Sequence, residues 1–218
     1  MDDVEYALQI KEQVVMMTGV CVWHENFHLK YAPWNEYYIT RNGCITYALH
    51  GQAKNALAVT LELWRTVLHL LFLHRYDTAK FVLQGYRDFL RGWKWLQKTD
   101  AITLHRQILQ QQQAATEQFQ TACTEVPNSI PQVSFFEATR AAVQKQKSVF
   151  LFHPFTKKGF YASRKKGTAF QLLLKMGGIS LRMLATYRSV VQGFQKNRTV
   201  LCEDAAWNQR NQHNSEKK

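Results

Sequence analysis

Apolar residues recur at helical spacing along the middle of the chain, where three amphipathic helices are predicted. The first helix, over residues 52–73, carries two neighbouring apolar stripes, one of them with alternating steps of four and three: Leu57, Leu61, Trp64, Leu68 and Leu71, beside Val59, Leu63, Val67 and Leu70. A second helix is predicted over 78–93 with Asp77 as its N-cap, and Gly85 within it indicates a close helix contact. A third follows over 101–122. The short connections predict an antiparallel three-helix bundle.

Both flanks of this bundle have a different pattern. An amphipathic helix is predicted over 4–18, and the aromatic segment 20–50 is predicted to be irregular, with a small hairpin at Asn42-Gly43. After a linker near Pro127 and Pro131, Ser134 to Glu137 resembles a capping box that opens a helix to about 147. An extended strap then covers 148–168, and a helical pair at 169–176 and 179–195 is divided by Gly177-Gly178.

The predicted fold class is therefore all-α, a three-helix bundle with an irregular N-terminal and a basic helical C-terminal extension. Four regions follow: 1–51 with the N-terminal helix and the aromatic segment, 52–123 with the bundle, 124–200 with the basic extension, and 201–218 as a polar tail predicted to be disordered.

Charge separates the two halves of the chain. The 218 residues carry a net charge of +12, and residues 134–200 alone hold 13 Lys and Arg against the single acid Glu137. This segment predicts an anionic partner, through Lys157, Lys158, Arg164, Lys165 and Lys166. A solvated basic face without a specific partner is the alternative interpretation. The apolar fraction of 46% excludes a disordered chain.

The order of motifs in the predicted bundle resembles the LYR family of small mitochondrial proteins. Helix one contains Leu63-Trp64-Arg65, helix two contains Arg87-Asp88-Phe89, and Thr99-Asp100 opens helix three. The resemblance covers about 70 of the 218 residues. The spacing from Leu63 to Phe89 and the Thr99-Asp100 start of helix three are similar to those of the accessory LYR subunits of respiratory complex I. Trp64 stands where that family has tyrosine.

The resemblance implies a non-catalytic accessory subunit of a mitochondrial respiratory complex, peripheral on the matrix side of the inner membrane, that contacts neighbouring subunits. It implies binding of acyl carrier protein through Arg65 and Arg87, with Arg91 beside them. The acyl-phosphopantetheine of that partner would enter a channel near Leu63, Trp64, Leu68 and Phe89. No intrinsic cofactor is expected. The alternative for Arg65 and Arg87 is ordinary surface ion pairing, with Trp64 and Phe89 as core residues.

Other chemistry is less well supported by the sequence. Aromatic residues among the cations of 145–198 also suit RNA or anionic lipid headgroups, so a helical RNA-binding or ribosomal protein is the alternative function. Cys21, His24, His28 and Cys44 form a weak candidate zinc set without a paired Cys-x2-Cys. His69 and His74 are expected to be core or cap histidines. No catalytic motif occurs, so an enzyme is not expected, and no transmembrane helix or leader is predicted.

Overall fold

A computed structural model describes residues 31–51 and 55–202. The predicted helix at 4–18 and residues 203–218 of the predicted disordered tail lie outside these residues, as do the first three of the four candidate zinc ligands. Leu201 and Cys202, the first two residues of that predicted tail, are helical. From Ala32 onward the described chain belongs to one compact unit. Within the described residues, no helix is both long enough and apolar enough to cross a membrane.

Helices fill the first half of this unit, and the second half contains both strands and helices. Five helices come first: α1 (Asn35–Leu49), α2 (Ala56–Phe72), α3 (Tyr76–Phe89), α4 (Trp93–Lys98) and α5 (Ala101–Gln113). The remaining elements are β1 (Thr121–Ala122), a 3-10 turn (Cys123–Glu125), β2 (Gln132–Ser134), α6 (Arg140–Val143), β3 (Ser148–Phe152), β4 (Lys158–Ser163), α7 (Lys166–Lys196) and α8 (Arg198–Cys202). The prediction of an all-α fold is therefore wrong.

The strands form one mixed sheet in the order β1-β4-β3-β2. Strands β3 and β4 are an antiparallel hairpin in which Phe150 lies opposite Tyr161, and β2 pairs with β3 in parallel. The predicted strap at 148–168 is extended in β3 and β4, but its pairing was missed, and its last residues are helical because α7 begins at Lys166. Val149 to Leu151 are fully buried, and a backbone buried in this way needs the hydrogen bonds that a sheet provides.

The main helical core is built from α1, α2, α3 and the long α7 rather than from residues 52–122 alone. Phe89 of α3 stacks on Phe194 of α7 with the ring centroids 5.7 Å apart, and both side chains are about 1% exposed. Helix α5, the predicted third member, instead buries Ile108 in a separate small cluster with Tyr37 and Phe81. The predicted three-helix bundle is thus corrected, because α7 covers the apolar faces of α2 and α3.

Helix α1 replaces the predicted irregular segment and hairpin. Asn42-Gly43 lies inside it, because the helix is held by its packing against α3 rather than by local propensity. At Gly85 a Cβ atom would lie 2.9 Å from both the Thr40 Cβ and the Tyr37 carbonyl oxygen. The close contact predicted at Gly85 is confirmed.

Polar side chains set the ends of α3 and α5. Arg75, not Asp77, occupies the N-cap position of α3, and the Glu117 carboxylate accepts hydrogen bonds from the backbone N–H groups of Asp77 and Thr78 at 2.6 and 3.1 Å. Helix α5 ends at Gln113 rather than 122 because the Gln118 amide donates to its last carbonyls, those of Gln112 and Gln113, each at 3.0 Å. Asp100 caps its start by accepting from the Thr103 N–H at 3.0 Å.

Two further predicted boundaries are wrong. Ser134 ends β2, and Thr139 rather than Ser134 caps the short helix α6. Helix α7 runs without interruption through Gly177-Gly178, because its buried residues lie on one continuous stripe from Leu172 to Phe194.

Candidate anion-binding cleft

A cationic cleft lies between α3 and α7. It encloses about 560 Å³, within the usual range of ligand pockets. Four cations line it, together with two amides, two aliphatic side chains and a glycine: Lys80, Arg87, Lys175, Arg182, Gln84, Gln111, Leu83, Ile179 and Gly178. No carboxylate belongs to this lining, so its charge is strongly positive.

Helical periodicity places the four cations on the two walls. Lys80 and Arg87 are seven residues apart on α3, and Lys175 and Arg182 are seven apart on α7. Seven residues are close to two helical turns, so each pair projects from one side of its helix. The two helices pack against each other through their apolar faces, which brings both pairs to the same cleft.

The cations of α3 are partly neutralised. The Lys80 ammonium lies 2.7 Å from Asp77 Oδ1, and the Arg87 Nε lies 3.4 Å from Asp88 Oδ1. Desolvation alone would raise the pKa of the Asp77 carboxyl, but hydrogen bonds from Lys80 and Thr116 outweigh it and lower that pKa. Asp77 is therefore ionised at neutral pH and neutralises part of the Lys80 charge.

The α7 wall supplies the uncompensated charge. No Asp or Glu occurs between residues 166 and 196. Arg182 donates from Nη2 to the Leu90 carbonyl oxygen at 3.2 Å, which fixes the guanidinium without removing its charge. Lys175 is exposed and has no ion-pair partner within the described chain. An anion in the cleft would therefore be held chiefly by Lys175 and Arg182.

Of the residues predicted to contact acyl carrier protein, the structure places only Arg87 in this cleft. Arg91 extends from the end of α3, 3.6 Å from Asp88 Oδ1 and with its guanidinium 4.5 Å from the centre of the Trp95 ring. Arg65 is exposed on α2 and does not line the cleft. The buried Asp88 also accepts a hydrogen bond from the Tyr37 hydroxyl at 3.1 Å. Both Arg87 and Arg91 therefore stand beside one structural carboxylate.

The predicted acyl-channel residues lie in different environments. Leu63 and Phe89 are fully buried in the helical core that α7 completes. Trp64 is 38% exposed and donates its indole N–H to the Ser180 hydroxyl at 2.9 Å. Leu68 lines a separate groove at the start of α7. The interior between α2 and α3 is filled by α7 side chains such as Phe194.

The five basic residues predicted to bind an anionic partner form two groups, not one. Lys157 and Lys158 are at the β3–β4 turn, where Lys157 has a left-handed φ of 54°. Arg164, Lys165 and Lys166 follow the other end of β4. Five strand residues, 159–163, lie between Lys158 and Arg164, so the two groups are about 20 Å apart. Among the interleaved aromatic residues Phe150 and Phe160 are buried, whereas Phe155 is 71% exposed.

The described part of the candidate zinc set is Cys44 alone. It is half-buried in α1, where desolvation raises the pKa of its thiol to about 12 and the nearby Glu62 adds to the rise. Within residues 31–51 and 55–202, no cluster of three His, Cys, Asp or Glu side chains could hold a metal ion. His74 is a cap histidine with a φ of 58° at the end of α2, and His69 is exposed.

Sequence reasoning missed most of the cleft. Lys80, Lys175 and Arg182 were not singled out, nor were the amides Gln84 and Gln111. The available signal was the repeated spacing of a lysine followed seven residues later by an arginine in two amphipathic helices. That signal becomes specific only when the two helices are known to pack together.

Comparison with known proteins gives one informative relative. No known protein-family profile matches the chain. Over 96 residues the chain is 31% identical to the galactofuranosyltransferase GlfT2 of Mycolicibacterium smegmatis. The match covers 42% of this chain but 15% of the bacterial protein, so the chain spans only a small part of that relative's length.

Proposed function

We propose that the chain is a non-catalytic module of a galactofuranosyltransferase-like system that binds a phosphate-bearing ligand between α3 and α7. The observation that carries the proposal is the cleft of four cations with no carboxylate in its lining. The partial similarity to a galactofuranosyltransferase supports the choice of system. Phosphate-bearing saccharides and nucleoside diphosphate sugars both suit such a cleft, because their oxygens accept hydrogen bonds from guanidinium, ammonium and amide groups.

The chemistry of the lining favours holding a ligand over transforming it. Its polar groups are cations and the amides Gln84 and Gln111, which donate hydrogen bonds and stabilise negative charge. General acid–base catalysis most often uses an imidazole or carboxylate group close to the reacting atom, and neither group lines this cleft. The cleft therefore serves to position an anionic group, while transfer of the sugar takes place in another part of the system.

Binding is tested with inorganic pyrophosphate, titrated calorimetrically into the full chain. We expect Lys175→Gln and Arg182→Gln each to weaken binding about tenfold, since each removes a charge-assisted hydrogen bond. Arg188→Gln is the matched control, because Arg188 is exposed on the same helix but does not line the cleft. Equal affinity in all four proteins would refute the cleft as the binding site.

The role in galactofuranose metabolism is tested in the organism itself. Deletion of the gene is expected to lower the galactofuranose content of the cell's glycans, measured after acid hydrolysis. The Arg188→Gln gene should restore that content, and a gene with both Lys175→Gln and Arg182→Gln should not. Galactofuranose that is unchanged by deletion would remove the galactofuranosyltransferase part of the proposal while leaving the binding result intact.

The accessory-subunit role, its mitochondrial location and the acyl carrier partner stay predictions, as does the RNA-binding alternative. The accessory-subunit role was inferred from a three-helix bundle, and the structure instead has a core that includes α7. The direct test of that role is whether acyl carrier protein co-purifies with the wild-type chain and is lost from the Arg65→Glu variant.

A further inference from the structure

A second groove opens where the end of α2 meets the start of α7, and it shares no residue with the cationic cleft. It encloses about 710 Å³. Its apolar part combines residues of α2 with residues of α7: Leu68, Leu71, Phe72, Ala169 and Leu173. Leu71 is buried and the other four are half-buried, so part of this apolar surface faces the groove.

Three exposed cations surround this apolar surface. Lys145 follows α6, Arg164 follows β4, and Lys166 begins α7. No Asp or Glu belongs to the lining. The groove therefore has an apolar interior and a cationic rim, contributed by three separate segments of the chain.

Hydrogen bonds hold the rim in place. The Arg164 guanidinium donates to the Gln144 carbonyl oxygen, and the Arg164 backbone N–H donates to the Lys147 carbonyl oxygen at 2.9 Å. The Lys165 N–H donates to the Tyr76 hydroxyl at 3.1 Å, which joins the start of α7 to the start of α3. The cations thus stand on a fixed backbone rather than on a free loop.

The wall beside the rim is aromatic and equally well fixed. His74 has a left-handed φ of 58°, and the N–H groups of His74 and Arg75 donate to the carbonyls of Leu71 and Leu70 at 3.1 and 2.9 Å. This arrangement ends α2 in a Schellman motif. It places the imidazole in a stack on the Tyr76 ring, 17° from parallel.

We propose that this groove binds an amphipathic anion, with its alkyl chain along Leu68 and Leu173 and its charged end between Lys145, Arg164 and Lys166. The ligand is expected to be an anion, because the rim of the groove has three cations and no acidic residue. The half-buried surface of Leu68 and Leu173 favours an alkyl chain, since burying the rest of it removes apolar area from water on both sides. A small inorganic anion would use only the rim.

Isothermal titration with monomeric dodecyl phosphate tests the charge requirement. We expect Lys145→Gln to weaken binding about tenfold, by loss of one charge-assisted contact. Lys147→Gln is the matched control, since Lys147 is also exposed and lies two residues away but does not line the groove. Equal weakening by both substitutions would show a general charge effect and overturn the proposal.

A second pair of variants tests the apolar requirement. Ala169→Phe places a ring in the groove and should abolish dodecyl phosphate binding, whereas Gln171→Phe adds the same ring at an exposed position outside it. Circular dichroism establishes that both variants keep the wild-type helix content. Binding that survives Ala169→Phe, or equal affinity for dodecyl phosphate, dodecyltrimethylammonium and inorganic phosphate, would contradict the proposal.

The source of the anion is distinguished with vesicles of phosphatidylglycerol. If the wild-type chain binds these vesicles and the Ala169→Phe variant does not, the groove binds one end of a membrane lipid. If it binds monomeric dodecyl phosphate but not vesicles, the ligand is a free amphiphile. Binding to neither dodecyl phosphate nor vesicles refutes the proposal. The pyrophosphate result is independent, because the two sites have no residue in common.

Discussion

The indole N–H of Trp64 on α2 donates a hydrogen bond of 2.9 Å to the hydroxyl of Ser180 on α7. The same hydroxyl donates to the Met176 carbonyl oxygen at 2.8 Å, so Ser180 links the surface of α2 to the backbone of α7. This contact joins residues 116 positions apart in the chain.

Removal of this hydrogen bond should lower stability modestly. We expect Trp64→Phe and Ser180→Ala each to reduce the free energy of unfolding by about 1 kcal/mol. Urea denaturation of both single variants and of the double variant measures their coupling. Strict additivity of the two losses would show that the Trp64–Ser180 contact contributes nothing to stability.

Two helical glycines should respond in opposite directions to the same substitution. Gly85→Ala places a methyl group 2.9 Å from the Tyr37 carbonyl oxygen, so it should destabilise the protein by about 1–3 kcal/mol despite its better helix propensity. At Gly177 nothing lies within 4 Å of the added carbon. Gly177→Ala should therefore stabilise by up to about 1 kcal/mol. Chemical denaturation measures both, and equal changes would contradict the packing at Gly85.

The contribution of α7 to the core can be measured at Phe194. Phe194→Ala leaves a cavity against Phe89 and should cost about 3–5 kcal/mol of unfolding free energy. Phe170→Ala is the control on the same helix, because Phe170 is 62% exposed and should change stability by less than about 0.5 kcal/mol. A similar effect at both positions would argue against α7 as a core helix.

Cys44 should resist alkylation in the folded protein. Desolvation raises the pKa of its thiol to about 12, so the reactive thiolate is scarce at pH 8. We expect iodoacetamide to modify Cys44 about a thousandfold more slowly than in urea, measured by peptide mass spectrometry. The rate should rise as the pH approaches 12. Rapid modification at pH 8 under native conditions would show that Cys44 is not held in α1 as the structure has it.

Local signals predicted local features well. Asp100 caps α5 because an aspartate before a helical segment satisfies its first N–H groups wherever the helix packs. Gly85 indicated a close contact because glycine inside a helix has a cost that packing usually explains. Both inferences need only a few neighbouring residues.

Non-local packing explains the errors. Of the two apolar stripes on α2, the one through Leu63 and Val67 is buried, whereas Leu57 and Leu61 are about 60% exposed. Periodicity could find both stripes but could not tell which one faces a partner helix. Gly177-Gly178 similarly suggested a break, but the buried stripe of α7 continues through it.

The candidate site was harder to predict than the fold for the same reason. Arg87 was singled out through the family resemblance, but its cleft neighbours Lys175 and Arg182 lie about 90 residues further along the chain. Only the packing of α3 against α7 brings them together. The basic composition of 134–200 indicated an anion, without indicating which cations would share one site.

The position of α7 in the chain has a consequence for synthesis on the ribosome. Helices α2 and α3 emerge before α7, yet the apolar faces around Leu63 and Phe89 are covered by α7 residues that are translated roughly 90 or more positions later. A nascent chain that stops before residue 166 therefore carries an uncovered core, a form that chaperones recognise and that aggregates readily. Native packing of this core must wait until α7 has left the exit tunnel.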